Sequence, residues 1–324
     1  MKYAIIGAGP IGAGLGGLLA MSGEDVWLID PAQSHINAIR KDGLQLTIED
    51  HLHPVQTATV PVNAVTAPDT VGIADIVILS TKGCFTRSAI QNIKAVSDEH
   101  TIIVTNQNGL GNLDILKEFF PAKQLAYTVV EYGGSRMGDG KVRIVFTVGR
   151  CNLPITSENP DLEIHIQDIS KALSKQGFTM TFFPREQLDL RQWAKLTTNC
   201  ALNGTCALCR CTMDGLLACQ DGIDLARAIV LENCTVANAL GVPLKPADVD
   251  SIPVEVQSPV TEGYRHFPSM VSDVEGMRRT EWPFLNGAVM RLGRKMGIPT
   301  PYNDVVSRLL SISEQNYDCR KLLP

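Results

Sequence analysis

Long hydrophobic runs are missing from this 324-residue chain. Outside its first twenty-one residues no stretch of eighteen apolar residues occurs, so no membrane-spanning helix is expected. Blocks of like charge are missing too. Charged residues make up 19% of the chain, and 29 basic against 34 acidic side chains leave a net charge of −5, evenly spread. That balance argues against a nucleic-acid or anionic-membrane surface, and pairs such as Arg278-Arg279 are too short to change it. There is no internal repeat and no low-complexity segment. Nine cysteines are present, but an odd number at irregular spacing makes no disulfide framework. Cys206-x-x-Cys209 and Cys211 lack the second ligand pair of a structural zinc site, and His51 with His53 shares a strand face without completing one. No metal is expected, and free thiols packed in a helix point to a reducing cytosol.

What is present suffices for two folded domains, with 44% hydrophobic residues over a length too great for one core. Lys2 followed by apolar residues imitates a signal peptide, but six glycines and Pro10 within residues 1–21 interrupt any apolar helical core. Strand patterns run over 2–6, 25–29, 43–47, 55–60, 74–80 and 101–105, with helical patterns over 11–21, 35–41 and 84–96. Such alternation predicts parallel strands with crossovers. Two further strands, 125–131 and 141–148, flank Gly138-Asp139-Gly140 and predict a hairpin. A helix over 163–176 and a strand over 179–183 follow. After Pro184 the pattern is helical, over 185–217, 223–240, 269–279 and 281–296. The expected architecture is an α/β domain over residues 1–184 followed by an all-helical domain over 185–324.

Gly7-Ala8-Gly9-Pro10-Ile11-Gly12 follows a strand and opens a helix, the setting in which G-x-G-x-x-G binds a dinucleotide. Gly7 allows the turn, Gly9 lets the backbone approach the pyrophosphate, and Gly12 permits close helix–strand packing. Asp30 ends the second strand, where its carboxylate can accept the ribose hydroxyls and repel a 2′-phosphate. Pro31 follows, and no arginine arrives before Arg40. NAD is therefore expected rather than NADP. A plainer role for Asp30 is capping a turn.

Lys195, Asn199 and Asn203 stand four residues apart in WAKLTTNCALNGT, on one face of a predicted helix. An ammonium there can stabilise and protonate an oxygen gaining charge, while carboxamides fix a neighbouring carboxylate or carbonyl. Taken with the dinucleotide loop, the row predicts hydride transfer to a small 2-oxo acid. His266, three residues before Ser269, is a rival proton donor. Asn203 could instead bond its own backbone, Ser269 could be a helix N-cap, and Glu281 an ordinary first-turn acid.

The segments GAGPIG, STKG, NQNGLG, WAKLTTNCALN, SMVSDVEGMRRTE and FLNGAVMRLGRKMGIPTP resemble, in that order and along nearly the whole chain, the ketopantoate reductase (2-dehydropantoate 2-reductase) family. The resemblance implies a Rossmann-like N-terminal domain and a helical C-terminal domain with the site in the cleft between them. It implies Lys195 as proton donor, and Asn199, Asn203 and Ser269 as substrate ligands. Lys82 and Asn108 would line the cofactor cleft, Asn108 also reaching substrate, and Glu281 would sit at the cofactor–substrate junction. Three departures stand out. Pro31 replaces the arginine of family members that use NADP, Glu131 replaces a small hydroxyl residue, and Asp214 falls near a pocket asparagine. A cytoplasmic homodimer reducing 2-dehydropantoate or another 2-oxo acid is expected. The alternatives are a D-2-hydroxy acid dehydrogenase, a 3-hydroxy acid dehydrogenase and a non-catalytic NAD-binding regulator.

Overall fold

A computed structural model describes residues 1–50, 53–146, 152–159, 162–249 and 267–320 of the chain. The chain forms two compact units, one of residues 1–107 with 112–188 and one of 108–111 with 189–324.

The first unit holds strands β1 (Lys2–Ile6), β2 (Asp25–Ile29), β3 (Leu44–Asp50), β4 (Gln56–Val60), β5 (Asn63–Val65), β6 (Ile76–Leu79), β7 (Ile102–Thr105), β8 (Leu125–Thr128), β9 (Tyr132–Gly138), β10 (Lys141–Phe146), β11 (Asn152–Ser157) and β12 (Thr179–Phe182). Its helices are α1 (Pro10–Met21), α2 (Gln33–Asp42), α3 (Thr86–Ala95), α4 (Asn112–Lys117) and α5 (Leu162–Ser174). Eight strands form one sheet in the order β12-β11-β8-β7-β6-β1-β2-β5, parallel at every pairing except β11 with β8. β6, β7 and β8 are buried throughout, as parallel strands covered on both faces must be, and so they read as short apolar runs. The second sheet, β4-β3-β10-β9, is buried on one face only, and β3 and β10 alternate accordingly. α1 lies between the sheets. Its small residues permit this: a Cβ on Gly14 would fall 2.5 Å from Ile144, and one on Gly16 2.8 Å from Ile5 and Leu28. The fold is α/β, with a Rossmann-like N-terminal domain and a helix-rich C-terminal domain.

The hairpin about Gly138-Asp139-Gly140 forms, but its first arm is β9 and not residues 125–131. Residues 125–127 pair with β7 and residues 126–128 with β11, inside the large sheet. β9, YGGSRMG, is exposed beyond Tyr132 at a sheet edge, so its sequence carries no apolar periodicity to announce it. Residues 147–148 of the expected second arm lie outside the described residues.

The second unit is helical among its described residues: α6 (Arg185–Cys209), which begins in the first unit, α7 (Met213–Leu216), α8 (Gln220–Ala239), α9 (Ser269–Glu275), α10 (Asn286–Met296), α11 (Pro301–Gln315) and α12 (Tyr317–Arg320). The single helix expected over 185–217 is interrupted. Arg210 takes φ 55°, the Cys211 amide bonds to the Cys206 carbonyl, and Thr212 caps α7. Likewise α9 stops at Glu275 before Met277 at φ 51°, and residues 282–284 form a 3-10 turn containing Pro283 ahead of α10.

A buried polar knot joins these helices. Glu232 on α8 accepts the Tyr302 and Asn303 amides at the start of α11 (2.8 and 3.0 Å) and the Asn303 carboxamide (2.7 Å). Asn303 also donates to Asn233 (3.0 Å), while Asn286 bonds Asn303 and the Cys200 carbonyl on α6 (3.0 and 2.9 Å). A carboxylate at a helix N-terminus satisfies amides that have no intrahelical partner, and charge-assisted bonds of this kind contribute about 1.5–3 kcal/mol each.

Candidate active site

Gly7 leaves β1 at φ +102°, and a Cβ there would meet the backbone of Thr81 and Ser80 at 2.8 and 2.9 Å. A Cβ on Gly12 would fall 2.7 Å from that of Ser80. Gly9 differs from both. Its φ is −64°, open to any residue, and a Cβ on it would meet no atom within 4 Å. Neither strain nor internal packing calls for glycine at this position, whereas a ligand lying against the loop does. Gly9 is also the N-cap of α1 and no side chain caps the helix, so the first-turn amides and the positive end of the dipole face outward. The loop therefore fits a dinucleotide pyrophosphate.

Asp30 is half-buried at the end of β2. One carboxylate oxygen accepts the Ala8 amide (2.9 Å) and the other the Ala32 amide (2.9 Å). The carboxylate thus braces the loop and caps its own turn. Four acceptor positions leave room for ribose hydroxyls as well. His35, on the first turn of α2, holds the other side of Ala8 through a 3.0 Å contact from Nε2 to the carbonyl. No short-range pattern marked His35, because its contacts are long-range.

β6 pairs with β1 and β7 with β6, all in parallel, so the carboxyl ends of all three strands share one edge. Ser80 donates to Asn106 there (2.9 Å), and Gln107 donates to the Thr81 carbonyl and Thr86 hydroxyl (2.8 and 2.9 Å). Half-buried Lys82 follows Thr81 and is the N-cap of a 3-10 turn. Exposed Glu131 precedes Tyr132, whose hydroxyl donates to the Ile11 carbonyl (3.0 Å).

In the second unit, Lys195 and Asn199 are half-buried on α6 and Asn203 is 9% exposed. Neither carboxamide makes a side-chain hydrogen bond to a described residue, so Asn203 shows no bond to its own helix. Segment 108–111 is fastened to α6 and to the turn after Glu281. Gln192, one turn before Lys195, donates to the Gly109 carbonyl (3.3 Å), and the Leu110 amide donates to the Phe284 carbonyl (2.9 Å). Gly109, at φ +86°, packs on Phe284 where a Cβ would clash. Asn108, half-buried Glu281 and the Lys195 turn of α6 are thereby carried by segments bonded to one another. The sequence offered no sign of Gln192 as the link. Glu281 is the N-cap of a 3-10 turn and not a first-turn residue of α10. Ser269 is exposed at the first position of α9 with Pro268 in the N-cap position, which corrects the N-cap reading. Among the described residues no hydrogen bond ties the Ser269 side chain to α6. Half-buried Asp214 stands in the first turn of α7. His266 and His51 lie outside the described residues.

Burial raises the thiol of Cys200 to about 12 and that of Cys234 to about 11, which makes both unreactive near neutrality. The cysteines among the described residues are free, and no cluster of three metal-ligating side chains occurs among the same residues.

Two family models cover the chain in register with this anatomy. Residues 3–157 match Ketopantoate reductase PanE/ApbA, and residues 187–314 match its C-terminal domain. The chain belongs to the ketopantoate reductase family. It is 30% identical over 315 residues to 2-dehydropantoate 2-reductase of Streptococcus pyogenes, spanning 97% of this chain and 98% of that protein. Among solved structures, a PanE/ApbA family ketopantoate reductase from Ralstonia eutropha is 30% identical with a TM-score of 0.83, covering 98% and 99% of the two chains. A D-mandelate dehydrogenase solved with NADH and anilino(oxo)acetate is 25% identical with a TM-score of 0.85, again over 98% and 99%. The protein is accordingly an NAD(P)-dependent oxidoreductase acting on a CH–OH group, of the 2-dehydropantoate 2-reductase type.

Proposed function

We propose that this ketopantoate reductase homologue reduces a small 2-oxo acid with NADH, Lys195 giving the proton. The observation that carries the reading is the row on α6: a lysine ammonium followed at four-residue steps by two carboxamides without protein partners among the described residues. Gly7 to Gly12 would hold a reduced nicotinamide dinucleotide, which would supply the hydride for the carbonyl carbon. Lys195 stabilises the developing alkoxide and transfers its proton to that oxygen. Asn199 and Asn203, with Ser269, hold the substrate carboxylate. Asn108 and Glu281 orient substrate and Lys195 from segments bonded to α6. Gly7 to Gly12 cradle the pyrophosphate, Asp30 takes the adenosine ribose, and Lys82 lines the same strand edge.

NADH is preferred because Asp30 and Pro31 present a carboxylate and no cation where a 2′-phosphate would lie. The related D-mandelate dehydrogenase, solved with NADH and anilino(oxo)acetate, supports the cofactor and, as a second reading, an aromatic substrate in place of 2-dehydropantoate. The proposed partner is a second copy of the chain, meeting through α11 and working in the cytosol. No helix among the described residues is long and apolar enough to cross a membrane.

The test is oxidation of NADH and of NADPH with a panel of 2-oxo acids, 3-oxo acids and the methyl esters of the former. A higher kcat/KM with NADPH would remove the Asp30 assignment. Equal kcat/KM for acid and ester would remove the carboxylate clamp.

A further inference from the structure

His35 is 1% exposed, and its ring bridges two segments more than a hundred residues apart. Nε2 lies 3.0 Å from the Ala8 carbonyl oxygen and Nδ1 lies 3.0 Å from the Gly140 amide nitrogen at the β9–β10 turn. A backbone N–H can only donate, so Nδ1 carries the lone pair. Nε2 then carries the proton and donates to Ala8. The imidazole is thereby set as the neutral Nε2–H tautomer by contacts on both nitrogens. The Ala8 amide is held separately by Asp30 (2.9 Å). Both backbone groups of the middle residue of Gly7-Ala8-Gly9 are fastened, one by a carboxylate and one by an imidazole. In a trans peptide the Ala8 carbonyl and the Gly9 N–H point in opposite directions. Holding that carbonyl toward His35 aims the Gly9 N–H away from it, in a loop where Gly9 offers no side chain to obstruct a ligand.

We propose that His35 is a positioning residue for the bound dinucleotide, fixing the Ala8–Gly9 peptide so that the Gly9 N–H is presented to the pyrophosphate. The proposal rests on the dinucleotide reading of the glycine loop and adds to it a device at the loop's far side. It also makes the loop sensitive to acid. A protonated ring would set Nδ1–H against the Gly140 N–H, and that arm of the clamp would open.

The groups facing the ring decide how readily this happens. Burial, then Arg136 on β9, lower the His35 pKa from its ordinary 6.5, while the Ala8 carbonyl, Asp30 and Asp139 act against them. Arg136 is itself ion-paired with Asp139 in the turn, which softens both influences. The direction of the pH effect follows. Above about 6.5 the imidazole is neutral whether the chain is folded or unfolded, and the clamp is intact. As pH falls below that value the unfolded chain binds the proton first, so stability declines, and the Gly140 arm of the clamp is lost as pH passes the lowered folded value, while Nε2–H still donates to Ala8.

The experiment follows the His35 ring nitrogens and the Gly9 amide by NMR in the protein without added nucleotide, from pH 8 to 5.5. NADH affinity is measured over the same range for the wild type, His35→Gln and His35→Ala. The expected result is a neutral Nε2–H imidazole at pH 7, and a Gly9 amide resonance that moves with the midpoint of the His35 ring. NADH affinity should fall about three- to tenfold through that midpoint, the size of one lost neutral hydrogen bond. His35→Gln, which can donate to Ala8 but takes up no proton, should bind NADH without that pH component. His35→Ala should bind it about three- to tenfold more weakly at pH 8. An Nδ1–H tautomer, a Gly9 resonance indifferent to the His35 titration, or wild-type affinity and pH profile in both variants would overturn the proposal. If His35→Ala does not fold, the wild-type resonances and His35→Gln decide alone. Failure of NADH to bind at all, with Gly9 still following His35, would sink the dinucleotide reading and the proposed ligand with it, leaving the loop clamp standing.

Discussion

Lys195 is the residue on which the proposed chemistry depends. Lys195→Ala should lower kcat by about 10²–10⁴, the usual contribution of a positioned acid, while the NADH dissociation constant changes little. Steady-state kinetics alongside fluorescence titration would show this. A small loss with Lys195→Ala and a large one with His266→Ala would transfer the role to the histidine. Asp30 is a less clean target than its sequence position suggested, since its two oxygens brace Ala8 and Ala32. Removing it would loosen the loop as well as change the proposed ribose contact. Pro31→Arg leaves those bonds alone and adds a cation that can pair with a 2′-phosphate. Its kcat/KM with NADPH should rise about tenfold or more, as one charge-assisted hydrogen bond of 1.5–3 kcal/mol implies. No gain would place the adenosine ribose away from residue 31.

At the scale of elements, legibility followed burial pattern. β1 and β2 were readable to the residue because buried runs such as KYAII and DVWLI are bounded by glycine and aspartate. β9 was not, because an exposed edge strand owes its pairing to β10 and not to its own side chains. α6 was legible in its Lys195-Asn199-Asn203 face but not in its end, which depends on Arg210 adopting a left-handed conformation that arginine rarely takes. Gln192, His35 and the Glu232–Asn303 knot escaped notice for a common reason. Each acts on a partner distant in sequence, and a single polar residue inside a helix carries no record of what it will touch. The knot supplies a stability prediction. Glu232→Ala leaves the Tyr302 and Asn303 amides without their acceptor and the buried Asn303 carboxamide with Asn233 alone. Unfolding should become easier by about 2–5 kcal/mol, read from urea or thermal denaturation. Glu232→Gln should recover part of that, since one amide oxygen can still accept. A change under 0.5 kcal/mol in Glu232→Ala would mean that water replaces the carboxylate.

At the scale of the whole molecule, the question is what covers α11. Tyr302, Val305, Leu309 and Ile312 are 47%, 55%, 46% and 57% exposed, a stripe of large apolar side chains at steps of three, four and three. Leu231 on neighbouring α8 is 58% exposed and lies beside Glu232, which bonds the Tyr302 amide. Contiguous apolar surface of this kind is uncommon on a solitary protein. The spacing suits a second copy in particular. If two α11 helices pack antiparallel about a two-fold axis at the level of residue 307, Tyr302 meets Ile312 of the other chain and Val305 meets Leu309. One stripe is thereby complementary to itself, as an isologous interface requires. The flanking charges raise no objection, because Asp304 is already paired with Arg308 (3.0 Å) and Arg294 (2.8 Å) within the chain. Leu309→Asp would set two carboxylates near that axis and desolvate them. The wild type should run as a dimer by light scattering at micromolar concentration, and Leu309→Asp should run as a monomer with an unchanged thermal midpoint at high dilution. The polar swap Arg308→Gln, outside the stripe, should leave the dimer in place. A monomeric wild type, or a dimer indifferent to Leu309→Asp, would show that α11 faces something other than its own copy.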